Sequence, residues 1–432
     1  MITMAIDNKD KKVLKSSIER EQNEVACSAE CEKIKGSKNL NVPHLRFPEF
    51  SGEWKETTLG KIAEITKGSG ISKDQLSEQG SPCILYGELY TKYKSEIINE
   101  VYSRTELDSS PLVKSKANDV IIPCSGETAI DISTARCVLF NNILLGGDLN
   151  IIRLKYDDGG FFAYQLNGAR KKDIARVAQG VSVVHLYGEN LKQIRVYYPN
   201  IEEQRKITHL LSLIDGRIAT QNKIIEDLKK LKSAIIDYAI NSLDTDFAKF
   251  GSLYETAGEG GTPTTSNASF YDNGKIPFVK IDDLKQKYLT ENKDFITELG
   301  LQKSSAWLVP TRSILFSNGA TIGEITITTY PVCTKQGILG IVPKSNIDVE
   351  FLYYFMSSTY FKKAISRIVT EGTMKTAYLK DIANILCPIP TKEKQQGIAK
   401  MPSALNSKID YEQSLLKLFI MQKQYLLRQM FI

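Results

Sequence analysis

Residues 199–240 carry a long amphipathic pattern that the chain repeats near its end. After Pro199, apolar residues recur at alternating intervals of three and four, which is the spacing of a coiled-coil seam. Residues 390–432 show a related pattern after Pro390, and the two stretches align at a shift of 191 positions. A chain that runs twice into the same long helix is built from two equivalent halves.

The seam of each predicted helix is a row of apolar side chains that would pack against the other helix. The row contains Ile207, Leu211, Ile214, Ile218, Ile225 and Leu228 in the first helix and Ile398, Leu405, Ile409, Leu416 and Phe419 in the second. Polar Gln221 and Lys232 interrupt the first seam. Pro402 lies inside the second pattern, where a proline costs about 3 kcal/mol or more. The second helix is therefore expected either to kink at Pro402 or to begin there.

The segments that precede the two helices also repeat each other. Glycines recur at matching places in loops that follow strand-like runs, and the shift stays between about 189 and 195 positions. A helix predicted over residues 161–177 recurs over residues 351–368. The repeat predicts one fold used twice, with loops that have diverged.

The repeat also predicts the domain organisation. A chain of 432 residues is too long for one ordinary core. The predicted parts are a polar extension at 1–40, a first domain at 41–200, a long helix at 201–243, a second domain at 244–391 and a second long helix at 392–432. Short connections at both ends of the second domain favour antiparallel helices. The predicted fold class is α+β, with two mixed α/β domains in a pseudo-two-fold arrangement separated by an antiparallel two-helix coiled coil.

The composition limits the functional classes. A net charge of +6 permits nucleic-acid binding without requiring it. No run of 18 apolar residues exists, and the first 40 residues lack the apolar core of a signal peptide, so a cytoplasmic protein that does not cross a membrane is expected. The seven cysteines form no CxxC pair and are expected to be reduced thiols.

Small and polar residues cluster in loops at equivalent places in both halves. Small residues let a backbone approach phosphates, while hydroxyls, amides and lysines contact phosphates and base edges. The candidate DNA-binding residues are Lys67, Ser69, Lys73, Ser125, Glu127, Thr128, Gln179 and Ser182 in the first half, and Thr264, Ser266, Lys280, Asp282, Asn318, Thr321, Glu371, Thr373 and Lys375 in the second. One scaffold with different side chains would read two different half-sites.

Motifs for chemistry are missing from the sequence. There is no GxxxxGK[ST] for ATP and no Asn/Asp-Pro-Pro-aromatic motif of amino-methyltransferases. Asp282 or Asp283 followed by Glu291 and Lys293 only faintly resembles a metal-dependent nuclease. The chain is interpreted as a non-catalytic binder without a catalytic or metal site.

From about residue 41 onward, the chain resembles the specificity subunit of Type I restriction–modification systems. The likeness lies in the leading segment NVPHLRFPEFSGEW, in the domain-closing turns YYPNIEEQRKI and CPIPTKEKQQGI, and in KQYLLRQMFI at the end. The resemblance implies a host-defence protein with two target-recognition domains, each reading one half of a bipartite, asymmetric sequence in double-stranded DNA. It also implies that the helices set the spacer between the half-sites.

The same resemblance implies a set of partners. Two modification (methyltransferase) subunits would dock on the helices, and restriction subunits, which are ATP-dependent translocases and nucleases, would complete the enzyme. S-adenosylmethionine, ATP and magnesium are expected in those partners, and no cofactor is expected on this chain. The alternatives are an enzyme that cuts or modifies DNA by itself and a scaffold that only spaces protein partners.

Overall fold

Two structural units share the chain, and their boundary cuts both long helices. The computed structural model describes residues 41–180, 182–319, 321–369 and 375–432. Unit 1 contains the chain through Asp215 together with Gln422–Ile432, and unit 2 contains Gly216–Met421. The predicted extension at 1–40, with its two cysteines, lies outside the described residues.

Unit 1 is built from mixed sheets and short helices. Its strands are β1 Lys55–Thr58, β2 Ala63–Lys67, β3 Leu76–Ser77, β4 Ser81–Ile84, β5 Ile97–Ile98, β6 Ser103–Thr105, β7 Asp119–Pro123, β8 Ser125–Gly126, β9 Arg136–Val138, β10 Leu144–Leu145, β11 Leu149–Leu154, β12 Val184–His185 and β13 Arg195–Tyr198. Its helices are α1 Leu59–Ile62, α2 Glu88–Thr91, α3 Ala129–Ile132, α4 Gly159–Asn167, α5 Lys171–Val177 and α6 Gly188–Lys192, with a short 3-10 turn at Lys73–Gln75 and the long helix α7, Ile201–Asn241, at the end.

The central strand β7 of the main sheet of unit 1 is covered on both faces, which explains its run of consecutive apolar residues Val120, Ile121 and Ile122. The sheet has the order β2-β11-β7-β9-β5. Successive side chains of a strand point to opposite faces. In β7, Val120 and Ile122 pack into the core that contains Phe161 and Phe162 of α4, while Ile121 packs into a second cluster with Ile84. Each face is therefore buried under a different layer.

Unit 2 contains most of the corresponding elements in the same order. Its strands are β14 Phe247–Lys249, β15 Tyr254–Glu259, β16 Ile276–Val279, β17 Tyr288–Leu289, β18 Asp294–Ile296, β19 Ile314–Ser317, β20 Ile325–Thr328, β21 Cys333–Thr334, β22 Ile338–Pro343 and β23 Leu386–Pro388. Its helices are α8 Glu298–Gln302, α9 Val349–Ser357, α10 Thr359–Ile368 and α11 Leu379–Ile382, with 3-10 turns at Phe250–Ser252, Ala268–Phe270 and Ile281–Lys285, followed by the long helix α12, Lys392–Gln429.

The sheet orders confirm the predicted internal repeat and the α+β class. The order β15-β22-β19-β20-β17 in unit 2 matches β2-β11-β7-β9-β5 in unit 1, and the pair β14-β23 matches β1-β13. The single helix predicted over 161–177 is wrong in detail, because α4 ends before Gly168, whose amide bonds the Tyr164 carbonyl at 2.9 Å. The equivalent helix of unit 2 is also divided, at Ser358.

The long helices α7 and α12 span 41 and 38 residues. Helix α12 begins at Lys392 and continues through Pro402, so the alternative that it begins at Pro402 is wrong. Pro402 is buried. Within the described part of the chain, we found no helix with both the length and the apolar character needed to span a bilayer.

Polar contacts show that α7 and α12 run antiparallel in unit 2. Gln221 donates to the Glu412 carbonyl oxygen at 3.1 Å, and Lys232 donates to Asn406 Oδ1 at 3.0 Å, so rising numbers on one helix meet falling numbers on the other. These two polar residues occupy the seam positions at which the apolar pattern is interrupted. The predicted seam residues are buried at Ile207, Leu211, Ile214, Ile225 and Ile409 and half-buried at Ile218, Leu228, Ile398, Leu405, Leu416 and Phe419.

A repeated glutamine joins each long helix to the domain before it. Gln204 donates to the Pro199 carbonyl at 2.9 Å and accepts from the Asp158 amide at 2.9 Å. Gln395, at the 191-residue shift, makes the same two bonds to Pro390 at 2.9 Å and to Asp348 at 2.8 Å. Asp158 and Asp348 in turn cap α4 and α9. The repeated turn sequence therefore orients each helix against its domain.

A buried ion cluster attaches the end of α12 to unit 1. Lys423 Nζ lies 2.5 Å from Glu96 Oε2 and 2.6 Å from Asp215 Oδ1. The Tyr164 hydroxyl donates to the second oxygen of Asp215 at 2.8 Å. Burial raises the pKa of the Glu96 carboxyl, while Lys423 opposes that rise. One ammonium thus pairs with two buried carboxylates from separate parts of the unit, and the buried Arg136 guanidinium attracts both of them.

The leading segment packs against both long helices of unit 1. Arg46 forms two parallel bonds to the buried Glu203 carboxylate, at 2.7 and 2.8 Å. Trp54 is 2% exposed and lies edge-on to Phe431, with ring centroids 6.3 Å apart. The first and last described parts of the chain therefore share one core.

Candidate nucleic-acid interface

Three loops of unit 1 meet at one end of its main sheet. Strands β2 and β7 end there, and the antiparallel strand β11 begins there. The Gly68 amide bonds the Leu149 carbonyl at 3.0 Å, and the Cys124 amide bonds the Asp148 carbonyl at 2.7 Å. The loops that carry the candidates from Lys67 to Lys73 and from Ser125 to Thr128 are therefore neighbours.

A fourth segment joins this edge through a small sheet. Strand β12 pairs with β8 so that His185 lies opposite Ser125, and Gln179 exchanges backbone bonds with His185 at 2.7 and 2.9 Å. Tyr187 is 46% exposed, with its ring centroid 6.2 Å from that of His185 and 6.0 Å from Lys67 Nζ. The edge thus presents a cation, an amide and two exposed rings on one surface.

Unit 2 forms the equivalent edge with different side chains. The Gly260 amide bonds the Ile338 carbonyl at 2.9 Å, and the Asn318 amide bonds the Gly337 carbonyl at 3.0 Å. The Ala377 amide bonds the Asn318 carbonyl at 2.9 Å, which adds the segment that begins at Lys375. The loops after β15 and β19 and the segment before α11 therefore meet as their counterparts do in unit 1.

Exposed tyrosines occupy matching places on the two edges and were missed in the sequence reasoning. Tyr378 is 48% exposed and follows Tyr187 at the 191-residue shift. Lys380 Nζ lies 5.7 Å from the Tyr378 ring centroid, as Lys67 Nζ lies near Tyr187. Tyrosine hydroxyls and lysines of this kind contact the phosphates of duplex DNA. The recurrence of Tyr at the repeat shift is the signal that identifies them.

Most predicted site residues are solvent-exposed. Exposed side chains are Lys67, Lys73, Glu127, Thr128, Gln179, Ser182, Thr264, Ser266, Lys280, Asp282, Thr321 and Lys375, while Ser69 and Ser125 are half-buried. Glu371 and Thr373 lie outside the described residues. Beside Lys73, a cleft of about 1030 Å³ opens between the loops of unit 1 and is lined by Tyr86 and Tyr90.

Several predicted site residues have structural partners within the chain. Ser69 Oγ accepts from the Val113 amide at 2.8 Å, and Thr128 caps α3 by accepting from the Asp131 amide at 3.1 Å. Lys280 pairs with Asp294 at 2.8 Å, and Asp282 pairs with Lys285 at 2.8 Å. These are surface contacts, which DNA can displace at little cost.

Asn318 differs from the other candidates because it is buried. It is 2% exposed, and its amide donates to the Ala377 carbonyl at 3.3 Å. In this conformation the side chain joins two loops of unit 2 and is not available to a ligand. The prediction that it contacts DNA treated a strand-following Asn as a solvated turn residue.

Two glycines of the loops have an intramolecular reason for being glycine. A Cβ on Gly68 would lie 2.0 Å from the Gly146 carbonyl oxygen, and one on Gly260 would lie 2.2 Å from the Thr334 carbonyl oxygen. Close loop packing, rather than phosphate approach alone, therefore requires the small residue at both places.

Metal-ligating and nucleophilic groups were sought among the described residues. They contain no group of three or more His, Cys, Asp or Glu side chains placed to hold a metal ion. The five described cysteines are buried and unpaired. Burial raises the pKa of the Cys83 and Cys124 thiols to about 11, which leaves them protonated and weak as nucleophiles.

Each long helix also presents exposed apolar residues in unit 2. Ile224, Leu231 and Tyr238 recur every seven residues along α7 and are 39%, 48% and 77% exposed. Tyr411 and Leu418 have the same spacing on α12 and are 63% and 60% exposed. A heptad-spaced apolar row outside an existing seam is typical of a surface that receives another helix.

Comparison with known proteins finds one family over most of the chain. The profile for the Type I restriction modification DNA specificity domain matches twice, at residues 51–230 and 244–418. The chain is 25% identical over 404 residues to the putative type I restriction enzyme MjaX specificity subunit of Methanocaldococcus jannaschii, covering 86% of this chain and 91% of that protein. It is 26% identical over 255 residues to the MjaIX specificity subunit of the same organism, covering 54% and 59%.

A solved structure has the same fold. The S subunit of a Type I restriction–modification system from M. genitalium superposes with a TM-score of 0.58, at 18% identity, over 90% of this chain and 99% of that one. At this identity the likeness is one of fold.

Proposed function

The chain belongs to the family of Type I restriction modification DNA specificity domains, and from that membership we propose that it is the DNA-reading subunit of such a system. Each unit reads one half of a bipartite, asymmetric target in double-stranded DNA. The observation that carries this proposal is the loop edge built twice. The two edges share their backbone contacts and their exposed tyrosine, but differ in the polar side chains beside it, which is what two different half-sites require.

The long helices have two proposed roles. They set the number of unread base pairs between the half-sites, and their exposed apolar rows receive helices of two modification subunits. Restriction subunits join through that complex. S-adenosylmethionine, ATP and magnesium bind in those partners, so the chain itself is non-catalytic. This role places the chain in the cytoplasm, with the DNA.

Substitutions on one edge are expected to change one half of the target only. Lys375→Ala in unit 2 and Gln179→Ala in unit 1 each remove an exposed polar side chain at an equivalent edge. A lost base contact weakens discrimination at its position by about 1–3 kcal/mol. Sequencing the methylated sites of cells that carry each variant with its partners measures this. Altered preference in both halves from either single substitution would contradict the two-reader proposal.

The helix surface is expected to be required for methylation by the complex. Leu231→Glu places a carboxylate in the apolar row of α7, and the matched Ser233→Glu adds the same charge at an exposed position outside that row. Burying the unpaired charge costs more than about 1.4 kcal/mol, so methylation should fall at least about tenfold for Leu231→Glu. Reconstitution with purified modification subunits measures it.

Two outcomes would contradict these roles. Equal methylation by the two variants would exclude the apolar row as a docking surface. Methylation or cleavage by the purified chain without partners would exclude a non-catalytic subunit and favour an enzyme in its own right.

A further inference from the structure

The internal repeat places different charges at one equivalent location in the two units. In unit 1, Lys423 of α12 meets Asp215 of α7 and Glu96, which stands just before β5. The 191-residue shift places Asn406 where Asp215 stands, and it relates Lys232 to Lys423. Lys287 stands just before β17, as Glu96 stands before β5. Two carboxylates of unit 1 are therefore an amide and an ammonium in unit 2.

Among the residues that the structure describes, the exchange leaves Lys232 without an ion pair. It is half-buried and donates to Asn406 Oδ1 at 3.0 Å. Among the described residues, no carboxylate forms an ion pair with Lys232, Lys229 or Lys362. Burial lowers the pKa of Lys232, and Lys287, Lys229 and Lys362 lower it further against the opposing effect of Asp410. A half-buried ammonium in such surroundings is unfavourable unless an anion joins it.

The space beside Lys232 is an open cleft. Its volume is about 590 Å³, and five lysines line it together with the two carboxylates Glu324 and Asp410. The lysines are Lys229, Lys232, Lys285, Lys287 and Lys362. Two of them already have carboxylate partners, because Lys285 pairs with Asp282 and Lys287 with Glu350. The remaining three are available to an anion.

The cleft continues toward the loop edge of unit 2. A second cleft of about 380 Å³ shares Gly323 and Lys362 with the first and extends to Lys375. Lysines therefore follow one another from the edge that carries a candidate DNA-reading residue to the long helices.

We propose that this lysine cleft, with Lys229, Lys232 and Lys362 as its ligands, binds a backbone phosphate of the DNA spacer beside the half-site read by unit 2. The inference rests on the proposed function. A phosphate supplies the missing negative charge, and a compact ammonium is suited to it as a point charge. We assign the phosphate to the spacer because α7 and α12 form one wall of the cleft, and these helices are the elements proposed to set the spacer. In unit 1 the equivalent lysine, Lys423, already pairs with Glu96 and Asp215, so the phosphate contact is expected in unit 2 only.

Binding of target duplex by the complete complex tests the proposal. The variant Lys232→Gln with Lys362→Gln is compared with Lys223→Gln and Lys363→Gln, exposed lysines of the same two helices outside the cleft. Losing the one phosphate contact should reduce the slope of log affinity against log salt by about 0.9 and weaken binding about tenfold at 0.1 M salt. The control pair should change neither, and the methylated sequence should stay the same in both variants.

Three further measurements make the result specific. A single uncharged methylphosphonate moved through the spacer should weaken wild-type binding at one position, and should weaken the cleft variant no further. Lys232→Arg should keep the wild-type slope. The melting temperature of the free chain should not fall for Lys232→Gln, whereas a residue needed only for folding would lower it.

Results that would overturn the lysine cleft can be distinguished from results that would overturn the proposed function. Equal losses in the cleft and control variants would overturn the lysine cleft. Lost assembly with the modification subunit at unchanged DNA affinity would also overturn it and assign the cleft to an acidic protein surface. Absence of sequence-specific binding by the wild-type complex would instead contradict the proposed function.

Discussion

Replacing Lys423 by Gln should lower the free energy of unfolding of unit 1 by about 3–5 kcal/mol, because it breaks the ion pairs of two buried carboxylates and leaves them only the electrostatic attraction of the buried Arg136 guanidinium. Glu96 and Asp215 are 7% and 8% exposed and both contact the Lys423 ammonium. At such buried sites water cannot replace the ammonium in stabilising the two carboxylates. Denaturant unfolding of the full chain, followed with a probe in unit 1, measures the loss.

The matched substitution in unit 2 should behave differently. Lys232→Gln, at the equivalent position, removes an ammonium that forms no ion pair with any described carboxylate, so the free energy of unfolding should stay level or rise. Equal destabilisation by the two variants would mean that the ion cluster of unit 1 contributes nothing beyond helix packing.

The loss in free energy of unfolding caused by Lys423→Gln should also depend on pH. Burial already raises the pKa of Glu96 above its value in the unfolded chain, and Lys423 is a group that lowers it, so the variant raises it further. A raised carboxyl pKa disfavours the native state at high pH and ceases to do so once the acid is protonated. The difference in stability from wild type should therefore be largest above the pKa that Glu96 has in the folded variant. It should shrink as the pH falls from that value to the lower pKa of Glu96 in the folded wild type. A difference that grows toward low pH would contradict this assignment.

Lengthening both long helices by one heptad should lengthen the DNA spacer without changing either half-site. Seven residues add about 10 Å, which is close to three base pairs, and keep the seam in phase. Insertion between Asn222 and Lys223 and between Tyr411 and Glu412 leaves the contact between Gln221 and Glu412 intact. Methylome sequencing should report the same two half-sites separated by about three more base pairs.

An insertion of four residues into α7 alone is the matched control. It rotates the seam and removes the pairing with α12, so methylation should fall below detection. If the variant with one heptad inserted in each helix kept the wild-type spacer length, the helices would be excluded as the element that sets that length.

Features with local or repeated signals were predictable from the sequence. The helices around Gln204 and Gln395 were predictable because the seam periodicity and the shift of 191 residues reinforce each other. The candidate loops were predictable because each follows a strand. The break at Gly168 was missed, since the apolar pattern continues on both sides of it and only the non-helical backbone of Gly168 (φ −96°, ψ −102°) ends the helix.

Long-range chemistry was beyond the sequence pattern. Glu96 and Lys423 are 327 residues apart, and neither has a neighbour in sequence that marks it as a partner. Asn318 was assigned to the surface because a polar residue after a strand is usually solvated, whereas packing against Ala377 buries it. Comparison of the two repeats identifies a long-range ion cluster only once the structure of both units is known, as the pair Lys232 and Lys423 shows.

The shared core of the leading segment and the end of α12 also sets an order of events during synthesis. Met430 and Phe431 are 2% and 4% exposed inside the core that contains Trp54. A ribosome that has completed Asp215 must add the whole of Gly216–Met421 before those two side chains exist, which takes about 10–40 s at 5–20 residues per second. Nascent unit 1 therefore waits with part of its apolar core uncovered, while unit 2, contiguous in sequence, can close first. The half of the chain that is made first is the last to finish folding.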